Sequence, residues 1–105
     1  MSKKGTGLGK TIVFKAKIWL YQGQGAWHFI TVPKNLSADI RKKHGAQARG
    51  WGSLPVTVTI GKTTWQTSIF PESKSATYLL PIKAHVRNAE GVQLDDVVQC
   101  MLRVR

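Results

Sequence analysis

Three glycines ahead of Lys10 and Thr11, in GTGLGKT at residues 5–11, offer the residue types of a phosphate-cradling loop. Such a loop needs GxxxxGK[ST], because its first glycine lets backbone N–H groups wrap the phosphates at a strand-to-helix turn. Counting back from Gly9 and Lys10 puts Lys4 where that glycine belongs. The segment after the glycines alternates like a strand: in TIVFKAKIWLY, Ile12, Phe14, Ala16, Ile18 and Leu20 make one apolar face, and Lys15, Lys17, Trp19 and Tyr21 make the other. Residues 1–10 are therefore read as a flexible basic tail and not as a nucleotide site.

Residues for catalysis or metal binding are sparse. His28, His44 and His85 show no HxxxH or HExxH spacing, and a single cysteine cannot build a thiolate cluster. Of the carboxylates Asp39, Glu72, Glu90, Asp95 and Asp96, only the last two adjoin, and neighbours on a strand point to opposite faces. Ser68 lacks the G-x-S-x-G elbow of a hydrolase nucleophile. The expectation is a non-enzymatic protein with no cofactor and no metal.

Binding chemistry is better represented. Sixteen Lys and Arg face five Asp and Glu, a net charge of +11, which draws polyanions to the surface. Lys15, Lys17, Trp19 and Tyr21 set cations beside aromatic rings, the combination that tracks a phosphate backbone while stacking bases. A structural role competes: Trp19 packs under the other half of the barrel, and the lysines shield an edge strand from pairing with other chains. Trp51, beside Arg49 in ARGWGSLP, is either an exposed anchor or a lid over the barrel end; Trp27 and Trp65 are expected in the core. The partner read from these features is nucleic acid, DNA or RNA, held on a basic face, with another protein as the alternative. The chain is expected to be a monomer or a weak dimer. MSKKGTGLGK has no apolar run behind its lysines, so neither a secretory signal nor a membrane span is expected, which places the protein in the cytoplasm with no membrane partner.

The elements that must carry these residues read as one domain over residues 11–105. After the first strand, GQG at Gly23–Gly25 makes a turn and AWHFITV returns as a strand ending at Pro33. NLSADIRKKHG suits a short helix: Asn35 or Ser37 as N-cap, Leu36 and Ile40 for apolar contact, Arg41, Lys42 and Lys43 at the negative end of the dipole, Gly45 as terminator. LPVTVTIG and TTWQTSIF form a hairpin about Gly61 and Lys62, with Val56, Val58 and Ile60 inward and Pro71 closing it. YLLP is a strand, IKAHVRNAEG a second short helix ended by Gly91, and VVQCMLRV the last strand, with Cys100 as a buried small apolar residue. About six strands and two short helices without βαβ spacing predict an all-β protein, a small closed or double-split antiparallel barrel. ITVPKNLSADIRKKHG and YLLPIKAHVRNAEG repeat one plan of strand, proline, short helix and glycine, which predicts pseudo-twofold halves.

Residues 80–102, LPIKAHVRNAEGVQLDDVVQCML, resemble the signature of AbrB-like swapped-hairpin transcription factors, with Asp95 and Asp96 at the turn before the last strand and Asp standing where a glycine is expected. That resemblance implies that Arg87 and its counterpart Arg41 contact DNA; the alternative for Arg87 is an ion pair with Asp95 or Asp96 that fixes the turn. A closer resemblance covers about Phe14 to Val104. The motifs W-x-F-hydrophobic-x-hydrophobic-P (Trp27, Phe29, Pro33), GKTTWQTSIFP at 61–71 and LPIKAHVRNAEG at 80–91 are similar to those of the bacterial domain-of-unknown-function family numbered 1905. Membership implies a double-split β-barrel and no established biochemical activity.

Overall fold

The alternation of the first apolar face takes the form of β1 (Ile12–Lys17) and β2 (Trp19–Leu20), one strand interrupted at Ile18. The computed structural model describes residues 10–23 and 25–105. The expected tail and the phosphate-loop look-alike therefore lie outside the described residues, apart from Lys10 and Thr11. Ile18 is fully buried, and its backbone belongs to a distant turn. Its N–H donates to the Asp96 carbonyl at 2.9 Å and its carbonyl accepts from Asp95 N–H at 2.8 Å. That clamp switches the chain from one neighbour to another. β1 pairs with β7 (Val97–Val104), and β2 pairs with β3 (His28–Thr31).

The other strands are β4 (Leu54–Ile60), β5 (Thr63–Glu72) and β6 (Thr77–Pro81), with helices α1 (Lys34–His44) and α2 (Ala84–Glu90). Every pairing is antiparallel, in the order β1-β7-β4-β5-β6-β3-β2. Because β1 runs directly into β2, the two ends of this order meet and the sheet curls into a nearly closed barrel. The two expected halves are visible in the pairing. β3 lies antiparallel to β6 and β4 to β7, while the broken strand β1/β2 bridges β7 and β3 just as β5 bridges β4 and β6. Exchanging the halves maps the pattern onto itself.

Alternation places Val56, Val58 and Ile60 inside, with Phe14, Ile30, Leu80, Cys100 and Leu102. Their removal from water is the main drive for closure, at roughly 25 cal/mol per Å² of apolar surface. Burial pushes the Cys100 thiol up to about 12, so it remains protonated and behaves as a small hydrophobe. Trp65 packs half-buried against this core, as expected.

Two local expectations are corrected. Neither Asn35 nor Ser37 caps α1, which starts after Pro33 with no side-chain cap. Ser37 is wholly buried inside the helix, where its hydroxyl donates to the Val32 carbonyl and accepts from Tyr78 N–H, both at 3.0 Å. It therefore fastens α1 to the β3–β6 pair. Gly45 ends α1 as expected, though right-handed and running into a short 3-10 turn at Gly45–Gln47, and Gly91, at φ 65, ends α2 with a left-handed cap. Pro71 does not close β5; the strand continues to Glu72 because Phe70, Pro71 and Glu72 pair with Leu79, Tyr78 and Thr77. Asp95 does take the place of a glycine, at φ 73.

The hairpin turn has a strict requirement at Gly61. At φ +59 a side chain is strained, and a Cβ there would collide with Glu90 Oε1. Glu90 of α2 needs that space because its carboxylate accepts from Lys62 N–H at 3.2 Å and from the Thr63 hydroxyl. The second helix is thereby tied to the β4–β5 hairpin.

Candidate functional site

Two glycines, Gly23 and Gly25, set the site. Tyr21 N–H donates to the Trp27 carbonyl at 2.9 Å, so the two aromatic residues face each other across the β2–β3 connection. A Cβ on Gly23 would collide with the Tyr21 ring, and Gly25, at φ +78, lies under the Trp27 indole. Glycine is needed at both positions for the rings to lie where they do. Phe29 is the hub of the outward face: it stacks near-parallel on Trp27 (6.1 Å, 11°), edge-on to Tyr21 (6.2 Å, 84°) and tilted on Trp19 (5.4 Å). Trp19 is anchored from below, its Nε1 donating to the Thr31 hydroxyl at 2.9 Å.

Two open grooves flank Trp27. One, of about 250 Å³, is lined by Tyr21, Trp27, Phe29, Phe70 and Leu79. The other, of about 270 Å³, runs from Trp27 and His28 past Pro81 and Ile82 to Lys83 and Arg87. Trp27 is 51% exposed, Tyr21 49% and Phe70 40%, so three large rings stand in solvent on one face. Contiguous apolar surface of this kind marks an interaction site far more often than isolated exposed residues do. In the second groove, Arg87 Nε donates to the Ile82 carbonyl at 3.2 Å, which aims the guanidinium without neutralising it. The His28 ring donates through Nδ1 to the Ala26 carbonyl at 2.9 Å, which fixes the ring at the edge of this groove.

The electrostatics favour an anion. Among the described residues the one ion pair is Lys43 with Asp39, at 3.2 Å on the surface of α1. Other carboxylates hold local structure. Glu90 anchors the hairpin, Asp96 accepts from Gln93 N–H at 2.9 Å, and Glu72 accepts from the Ser75 hydroxyl and N–H at 2.8 and 2.9 Å. Those Ser75 bonds, the hydroxyl first, hold the Glu72 carboxyl below its ordinary range. An ion pair between Arg87 and Asp95 or Asp96 does not form. Among the described residues no three His, Cys, Asp or Glu side chains converge.

The structure brings Trp19 and Tyr21 together with Trp27 and Phe29, and Arg87 with Lys83. Lys15 and Lys17 are exposed one strand-break away, over Gln99 and Val97 of β7. Arg41 lies apart on α1, its guanidinium 5.7 Å from the centre of the Tyr78 ring. Arg49 and Trp51 share a loop whose Gly52 abuts Pro71, next to Phe70 on β5. Trp51 is 94% exposed at φ 64, so it is an anchor-like projection and not a lid. Trp27 is also corrected: it stands outside, not in the core. Sequence reasoning missed Trp27, Phe29, Phe70, Leu79 and Lys83 as site residues, although Trp27 and Phe29 stand in a W-x-F motif, Phe70 in I-F-P and Lys83 in P-x-K.

A family model described as Domain of unknown function (DUF1905) matches residues 14–102. The chain belongs to this family. The matched span contains both grooves in full and the lysines of β1. Trp27, Phe29, Phe70, Lys83 and Arg87 all lie within that span and share two adjoining grooves. No curated protein matches the sequence. No helix among the described residues is long and apolar enough to cross a membrane.

Proposed function

We propose that this protein is a non-enzymatic module of the cytoplasm that binds single-stranded nucleic acid. One observation carries the reading: an open aromatic groove and a groove carrying Lys83 and Arg87 share the wall made by Trp27. Sequence-tolerant single-strand binders combine a cationic track for the backbone with rings on which bases stack, each base contributing about 1–3 kcal/mol. A net charge of +11 supplies the attraction and opposes docking of a second copy on the same face. Lys15 and Lys17 extend the cationic surface along the strand that carries Trp19 and Tyr21. A protein partner is the competing reading, supported by the apolar lining of the first groove.

The two differ in salt dependence. Four cations engaged on a single strand, Lys15, Lys17, Lys83 and Arg87, give a slope of log affinity on log salt of roughly −2.8, whereas an aromatic-centred protein interface changes far less. Fluorescence anisotropy of labelled single- and double-stranded oligonucleotides, across a salt series, is the test. The expected result is tighter binding of single strands, weakened at least about ten-fold by Trp27→Ala and with the slope reduced by about 1.4 in Lys83→Glu, Arg87→Glu. Binding that disappears at modest salt and is the same in all variants would leave the charge as a solvated surface and turn the search to proteins.

A further inference from the structure

We infer that the two grooves are successive nucleotide subsites and that the Trp27 indole is a wedge between neighbouring bases of one strand. This rests on the nucleic-acid reading and adds a register and a division of labour to it. Each groove, at about 250 and 270 Å³, has room for one base. Trp27 lines both. Its plane is fixed by near-parallel stacking on Phe29 and by the glycine beneath it at position 25, yet half of its surface remains open. At 6.1 Å between centroids the two rings are offset, so Phe29 covers only part of the indole.

The subsites differ in chemistry. The first is lined by Tyr21, Phe29, Phe70 and Leu79 and presents carbon to the face of a base, with little to read its edge. The second presents Lys83 and Arg87, and so takes the base whose phosphate joins it to its neighbour. Arg87 is preset for this by its bond to the Ile82 carbonyl, which uses Nε and holds the side chain in the groove lining. Admitting an indole opens a base step from about 3.4 Å to about 7 Å, which an unpaired strand allows and a stacked duplex resists.

The test compares thymidine monophosphate, the dinucleotide TpT and octathymidylate, followed through the tryptophan indole N–H resonances of the full chain. Phe70→Ala alters the first groove alone and Arg87→Ala the second alone; both residues are partly exposed, and resonance dispersion verifies that each variant is folded. TpT and octathymidylate are expected to weaken roughly ten-fold in each variant, and the mononucleotide in only one of them. Trp27→Phe is expected to bind within about three-fold of the native chain and Trp27→Ala to lose the coupling between the grooves. TpT binding that responds to only one of the two groove variants, or that leaves the Trp27 indole unshifted while octathymidylate shifts it, overturns the two-subsite register and leaves single-strand binding standing. Octathymidylate that fails to bind the native chain at low salt overturns both.

Discussion

The outer surface of this barrel has two unlike sides. Across β2, β3, β6 and the end of β5 the outward positions are Trp19, Phe29, Leu79 and Phe70, extended by Tyr21 and Trp27. Across β1, β7 and β4 they are Lys15, Lys17, Gln99, Arg103, Thr57 and Thr59, with Val97 and the cross-strand pair Val13 and Met101 as the apolar positions. The interior behind both sides is equally apolar, so the hydrophobic effect that closes the barrel does not distinguish them. The difference lies in what the outward residues are. On the first side the rings form one connected cluster around Phe29, and on the second the outward residues named are cationic, polar or aliphatic.

The largest expected effect separates these sides by stability. Phe29→Ala removes three ring contacts at once and should cost about 2 kcal/mol, whereas Met101→Ala, on the opposite side and 41% exposed, should cost under about 1 kcal/mol. Urea denaturation of the two variants checks this, and equal losses would break the comparison. A smaller effect sharpens it at the rim of the aromatic side. Trp51 pairs high exposure with a left-handed backbone that strains any residue but glycine. Trp51→Gly relieves that strain and adds freedom to the unfolded chain, so stability should change by less than about 1 kcal/mol while oligonucleotide affinity falls several-fold. Unchanged affinity by anisotropy would confine the site to the grooves.

The smallest effect concerns pH. Glu72 ends β5 just past Phe70, and the Ser75 bonds keep its folded pKa depressed. A depressed carboxyl stabilises the fold above its unfolded pKa, and that contribution is lost as pH falls through the folded value. Glu72→Gln should therefore flatten the acid side of the stability profile slightly between about pH 5 and pH 3, without changing affinity at neutral pH. A steeper profile in the variant would contradict the assignment.

Much of the fold was legible because every inward position of the first strand, β4 and β7 is apolar. The left-handed turn at Gly91 and the proline that precedes each helix were equally plain. The site was harder to read for a physical reason. In AWHFITV both parities contain large apolar residues, Trp27 and Phe29 on one and Ile30 and Val32 on the other, so alternation alone does not say which set is inside. Register decides it: Ile30 opposite Leu80 points inward, which turns Trp27 and Phe29 outward. Ser37 deceived for a related reason, since a hydroxyl near a helix start reads as a cap until the strands that bury it are in place.

The sequence by itself determined the class of the protein, the two-half plan, the inward set of most strands and the unbalanced positive charge, because periodicity and composition are local or additive. Only the tertiary structure decided that the first strand breaks at Ile18, that Trp27 stands outside, and that Tyr21, Trp27, Phe70, Lys83 and Arg87 share adjoining grooves. Those facts depend on which residues the antiparallel register places side by side, and register is a property of strand pairs that no single segment contains.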